Sequence, residues 1–373
     1  MRHVDIIVVG AGITGAAIAF GLAERGLKVV VLDGDRGDFR ASRANFGLVW
    51  VQGKGRGFPA YQTITQASSA DWADFSDRTF NASGLRLPLE QKGGLAFCVG
   101  EADWNKRKAL NDDLIAQQPS NRPGTEMLDR STLEKLLPGV RLGDDVVGAS
   151  FGAMDGAVNP LELLSALHVA IKNLGGELHF QTPVTTIIPD KRSFRVQCRG
   201  QSFEAEKVVL AAGLATEALA TQLDMHLPLR PQRGQVLVTE RASPFLPLPA
   251  SGLRQTAEGT VLIGVTNEDV GLDTSTTAEG AAKMALKATK IIPALKQLHL
   301  VRQWAGLRVL SPDGCPIYEQ SVKYPGAFAA TCHSGITLAA FHAGELADAI
   351  FNSQMSARLS AFSPERFNVQ KSG

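Results

Sequence analysis

Two short stretches hold the residues whose types and spacing could do chemistry. One is Gly10-Ala11-Gly12-Ile13-Thr14-Gly15; the other, near the far end of the chain, is Cys332-His333-Ser334-Gly335-Ile336-Thr337. The second sets three side chains together that can act as nucleophile, base or metal ligand. No acid stands beside them in sequence to orient His333, so neither Cys332 nor Ser334 reads as an activated nucleophile. His333 can take a proton near neutral pH or tune a bound ring; the alternative is a loop residue held in place for its backbone. The first stretch works through its main chain. Gly10 makes a tight turn, Gly12 lets the backbone approach a pyrophosphate, and Gly15 lets a helix pack close to a strand.

The elements needed to position these residues are legible around them. Asp5 to Val9 reads as a buried strand, a helix rich in small residues follows the glycines, and Lys28 to Leu32 reads as a second strand ending in Asp33-Gly34. The helix N-terminus would face phosphates. Asp33, about 20 residues further on, would hold a ribose hydroxyl. An acid rather than an arginine at that strand end argues against a 2′-phosphate, which leaves FAD or NAD ahead of NADP. At the other end Gly326 to Thr331 reads as a strand and Gly335 to about Ile350 as a helix. That makes a second strand–loop–helix junction, with the N–H groups of Gly335, Ile336 and Thr337 free.

Composition narrows the function classes. The 373 residues suit two domains, and 38 Lys plus Arg against 37 Asp plus Glu give no strong field for nucleic acid or acidic membrane. Cys98, Cys198, Cys315 and Cys332 are scattered, with no C-x-x-C spacing, so neither a zinc site nor an iron–sulfur cluster is expected in this chain. Asp5 and the glycines interrupt the N-terminal apolar run before the roughly 20 residues that a membrane span needs. With no other candidate span, a cytoplasmic protein with free thiols is expected.

Beyond Asp33 the chain runs into GDRGDFRASRANFGLVWVQGKGRGFPAY, a loop rich in glycine and arginine. This resembles flavoproteins of the D-amino acid oxidase superfamily, which favours FAD over NAD. The resemblance implies that Arg40, Ser42 and Arg43 lie on the phosphate side and that Asn45 to Leu48, with Gly47, pass near the isoalloxazine. Arg36 reads as part of a solvated turn. In MDGAVNPLELLSAL, Asn159 suits an N-cap and Pro160 the first helical turn. GGELHFQTPVTTI is similar to the strand and loop whose backbone, near Val184, frames adenine. KVVLAAG ends in Ala212 and Gly213 like the second cofactor-contacting strand. WAGLRVLSPDGCPIYEQ, with Gly306 and Arg308, followed by GAFAATCHSGITLAA, is similar to the family's C-terminal pair. By that likeness the helix after Ser334 would point at the pyrimidine end of the flavin and stabilise charge there.

The implied fold is α/β, a Rossmann-type FAD-binding domain interleaved with a mixed-sheet α+β substrate domain. Residues 1–80, 146–225 and 305–373 would form the first, and 81–145 and 226–304 the second. Arg308 lies where relatives carry the arginine that binds a substrate carboxylate; a salt bridge between domains is its alternative. Arg233 reads as structural and Tyr61 as core or pocket wall. The stretch ASRANFGLVWVQGKG most resembles the B-type (beta) subunits of heteromeric opine oxidases. That implies oxidation of an opine's secondary amine, with alpha-type and small iron–sulfur partner subunits. FAD would be non-covalent; the histidine that holds FMN covalently in the similar heterotetrameric sarcosine oxidases has no counterpart at Ala153-Met154-Asp155, so a non-covalent FMN, with a 2Fe-2S cluster, would lie at or in the partners. The competing readings are a self-sufficient glycine or D-amino acid oxidase producing peroxide, the beta chain of a proline or D-hydroxyproline dehydrogenase, and a flavin-bound assembly subunit with a silent site.

Overall fold

Ile6, Ile7 and Val8 are fully buried and Val9 nearly so, which an unbroken apolar run achieves only in a strand covered on both faces. In the computed structural model, whose described residues are 2–34, 40–118 and 124–368, this strand is Arg2–Val9, and Arg36 lies outside the described residues. It runs parallel to Val29–Leu32 on one side and to Gln201–Leu210 on the other, with Ile6 opposite Val29 and Lys207. The parallel sheet continues to Glu177–His179 at one edge and to Ala327–Thr331 at the other, where Ile317–Gln320 closes it antiparallel. Alternate residues feed two cores. Ile6 and Val8 face one, Ile7 and Val9 the other.

The helix Ile13–Glu24 is apolar all round and correspondingly buried on nearly every side. It packs beside Pro160–Asn173, whose start is fixed as the sequence suggests: Asn159 Oδ1 accepts from Leu161 N at 3.0 Å, and Pro160 takes the first helical position. Strands Gly94–Val99, Thr125–Asp129 and Val146–Gly152 form a three-stranded sheet; Arg230–Arg241, Leu253–Gln255, Thr260–Gly264 and Leu300–Leu310 form a four-stranded one. A bridge between Leu95 and Ala250 joins the two into a roof. The helix Ala278–Ile291 sends Met284, Ala288 and Ile291 into the roof's core.

Two expectations need correcting. Val146–Gly152 pairs with Gly94–Val99, and Leu300–Leu310 pairs along its length with Arg230–Arg241, so boundaries at 146 and 305 cut into the roof. An apolar strand carries no sign of which sheet its edges will join. The C-terminal helix also starts later than Gly335 and is interrupted. Residues 335–338 form a turn, helix follows at Ala339–Phe341, a wider π-turn spans His342–Leu346, and regular helix resumes at Ala347–Phe351. The cause lies across the interface. Gly21 of the first helix meets this segment so closely that a Cβ there would stand 2.1 Å from Ala343 O. Arg25 then donates to Gly21 O, Ala343 O and Gly344 O, taking up carbonyls at the wide turn.

This crossing gives a stability test. Alanine is the better helix former by up to about 1 kcal/mol, yet Gly21→Ala forces backbone apart and is expected to destabilise by about 1–3 kcal/mol. A denaturant midpoint that rises instead would remove the close crossing as the reason for glycine.

Candidate active site

The glycine turn after the first strand is built for close approach. Gly10 has φ +111°, and a Cβ on it would stand 2.3 Å from Ala211 O; one on Gly15 would stand 2.0 Å from Gly10 O. Asp33 reaches back across the turn, its Oδ2 accepting from Ala11 N at 2.7 Å while Oδ1 pairs with Arg40 at 2.7 Å. Ser42 Oγ accepts from Ile13 N at 2.9 Å, at the first residue of the helix. A hydroxyl that accepts there keeps its own proton to donate to an anion.

These groups line a cavity of about 890 Å³. Of the expected cofactor residues, its wall includes Gly10, Gly12, Ile13, Thr14, Asp33, Arg40, Ser42, Arg43, Asn45, Ala212, Gly213, His333, Gly335 and Ile336. His168, Phe180 and Trp304 also line it, and sequence reasoning missed them. His168 Nε2 meets Ala11 O at 2.8 Å and its ring packs edge-on against Phe180; burial holds its pKa below the usual imidazole range. The only signal for it was a polar residue on the buried side of an amphipathic helix.

The remaining expected residues stand behind the wall. Gly15 and Gly34 pack against Gly10 and Pro183. Gly47 is pinned by Asn45 Oδ1, and a Cβ on it would collide with Arg254, whose guanidinium donates to Phe46 O and Val158 O at 2.9 Å each. Leu48 pairs with Ala157, Val184 pairs with Cys198 on an outer ladder, and Gly306 faces Gly234 in the roof. Thr337 is 2% exposed and its hydroxyl accepts from Trp50 N at 3.0 Å, clamping the Leu48–Trp50 segment rather than facing the cavity. Ser334 is likewise turned away, its hydroxyl bonded to Tyr61 Oη and to Lys54 Nζ at 2.8 Å each.

The junction at Cys332-His333 closes the cavity against the first glycine turn, with Cys332 Sγ 3.6 Å from Thr14 Oγ1. Burial pushes the Cys332 thiol up to about 11, so it is neutral and unreactive at physiological pH. Burial first, then Lys54 and Arg308, push His333 down to about 3. A ring held neutral to that pH is a weak proton acceptor, so a base near neutrality is not what this environment makes of His333.

Arg308 lies behind the cavity wall, in space left open by Gly234, and donates to Thr266 O at 2.8 Å and Arg233 O at 3.2 Å. Arg233 pairs with Glu268 and Asp273, the structural role expected of it. Lys54, which sequence reasoning passed over, is desolvated, and its pKa is lowered chiefly by that burial. It sits between Gly53 and Gly55, both at positive φ, which was its one legible mark.

The wall suits a dinucleotide. Side-chain-free backbone and a helix N-terminus lie at its centre, hydroxyl and guanidinium groups beside them, and a second backbone turn opposite. A family described as FAD dependent oxidoreductase (DAO) matches residues 5–349. The B-type subunit of opine oxidase from Rhizobium meliloti is 40% identical over 371 residues, covering 100% of each chain. Its namesake from Agrobacterium tumefaciens (strain Ach5) is 40% identical over 372 residues, again 100% of each. The crystal structure of glycine oxidase from Geobacillus kaustophilus superposes with a TM-score of 0.88 over 97% of this chain and 98% of that one, at 24% identity, a likeness of fold. The chain belongs to the DAO family of FAD-dependent oxidoreductases.

Proposed function

We propose that this chain is the amine-oxidising subunit of an opine oxidase, converting the secondary amine of an N-(carboxyalkyl) amino acid to an imine. The observation that carries the reading is the end-to-end 40% identity with the B-type subunit of opine oxidase. FAD, when bound, accepts the hydride equivalent from the carbon beside nitrogen. The amine proton is lost as well, and water then splits the imine into an amino acid and a 2-oxo acid.

The chain's own residues position and exclude. The glycine turn, Ser42 and Arg43 would hold the pyrophosphate, and the Cys332–Ile336 turn would border the reacting ring. Arg308 would take a substrate carboxylate, since its fork is bonded to neutral oxygens and keeps its charge. Both opine oxidase relatives are single subunits of their enzymes, which supports partner chains. We assign to these an alpha-type and a small iron–sulfur subunit, with FMN and the 2Fe-2S cluster outside this chain, working in the cytoplasm. Among the described residues no group of three or more His, Cys, Asp or Glu could hold a metal, and no helix is long and apolar enough to cross a membrane.

Mixing the FAD-loaded chain anaerobically with N-(1-carboxyethyl) amino acids should bleach the flavin at least tenfold faster than glycine, proline or D-alanine does. Fast peroxide formation from a simple amino acid, without partners, would instead make it a self-sufficient oxidase.

Arg308→Ala is expected to weaken apparent affinity for carboxylate substrates about 100-fold, roughly 3 kcal/mol, with FAD content retained. Unchanged affinity would remove Arg308 from the site. For His333 the sign is clear: its proton is lost near pH 3, so it contributes no limb to the pH profile of flavin reduction between pH 5 and 8. His333→Asn should keep the profile's shape even where the rate falls, and a limb that disappears with the imidazole would show that it titrates there. Cys332→Ala should keep turnover within about threefold, because a neutral thiol is no nucleophile.

A further inference from the structure

We propose that Lys54 anchors a second substrate carboxylate, so that with Arg308 it fits the site to a dicarboxylate whose secondary amine lies between the two acids. This deepens the opine reading and rests on it. Lys54 Nζ reaches Ser334 Oγ, next in the chain to His333 of the cavity wall, and it and Arg308 both stand near enough to disfavour a charged His333 ring. They come from different parts of the chain, Lys54 from the glycine-rich loop and Arg308 from the roof strand Leu300–Leu310.

Among the described residues neither is neutralised by a bonded acid. Lys54 Nζ donates to Ser334 Oγ at 2.8 Å, which leaves two of its three protons for another acceptor. Arg308 is bonded to the carbonyls of Thr266 and Arg233 and more loosely to Gln232 Oε1 at 3.4 Å. The acids within electrostatic range are committed elsewhere. Asp155 accepts from Val51 N at 2.5 Å and from Gln52 Nε2 at 2.6 Å. Glu268 accepts from Arg233 Nε at 2.6 Å and from Gln235 Nε2. Two desolvated cations without counter-ions cost the fold, and a ligand bringing two carboxylates removes that cost.

The loop is shaped to present the lysine. Gly53 and Gly55 stand at φ +83° and +78°, and a Cβ on Gly55 would be 2.3 Å from Gln62 N. Asp155 fixes the strand end just before it, and Ser334, held by Tyr61, receives the ammonium. A lysine serving only to cap Ser334 would need no such framing, since Tyr61 already satisfies that hydroxyl.

The test uses two non-oxidisable ethers and the perturbation of the flavin spectrum in the FAD-loaded chain. Diglycolate carries an acid on each side of its oxygen; ethoxyacetate carries one. Wild type should bind diglycolate at least tenfold tighter. Lys54→Met should weaken diglycolate 30- to 100-fold and ethoxyacetate less than threefold, with Lys54→Arg restoring most of the difference. Equal weakening of both ligands in Lys54→Met, or no preference for diglycolate in wild type, would overturn the assignment. Failure of the opine reading looks different: the diglycolate preference stands, while N-(1-carboxyethyl) amino acids leave the wild-type flavin oxidised.

Discussion

The structure depends on one close approach, the glycine turn at Gly10 against the strand end at Ala211. With Cβ positions 2.3 and 2.0 Å from backbone oxygens at Gly10 and Gly15, the first helix can sit on the sheet only if both residues stay bare. That seat aims the helix N-terminus into the cavity. It also puts Ala11 N within reach of Asp33 and Thr14 against Cys332, so the turn is tied to the second strand and to the C-terminal junction. Residues more than 300 positions apart thus form one wall because a few atoms are absent from two others.

Electrostatics divides the cavity wall and its surroundings into two regions. Around the glycine turn stand backbone dipoles and the Ser42 hydroxyl, with Asp33 paired to Arg40 and Arg43 beside them. Around His333 stand two cations, Lys54 and Arg308, neither bonded to an acid among the described residues. The neutrality of His333 follows from this: burial disfavours its charged form, and Lys54 and Arg308 disfavour it further. The same cations that would hold an acidic substrate therefore fix the ring as a neutral hydrogen-bonding group.

The fold was largely legible because its signals are local. The unbroken apolar strand, the glycine spacing, the acid at Asp33 and the Asn159-Pro160 helix start each follow from residues near in sequence. What was not legible depends on partners distant in sequence. Val146–Gly152 and Leu300–Leu310 reveal their sheet only through the strands beside them. Ser334 and Thr337 have the right types for a helix start facing a cofactor. Their hydroxyls instead clamp Tyr61, Lys54 and Trp50, partners more than 250 residues away. The π-turn at His342 answers to Gly21 on another helix. Lys54 carries no mark beyond its flanking glycines, because its desolvation comes from elements the loop itself does not name.

The two halves of the site rest on different supports. Cofactor geometry is set by Asp33, Ser42 and the packing of Gly10 and Gly15. The Lys54 loop is set by Asp155, Gln62 and Ser334, and Arg308 by the roof carbonyls of Thr266 and Arg233. Of the loop's supports, Ser334 belongs to the turn that borders the cavity, whereas Asp155 and Gln62 stand apart from the glycine turn. The glycines around Lys54 matter as well. They let a short loop leave the strand end, turn one cation toward Ser334 and return to the helix Pro59–Ala70 within a few residues, so the lysine is placed by tightly turned backbone.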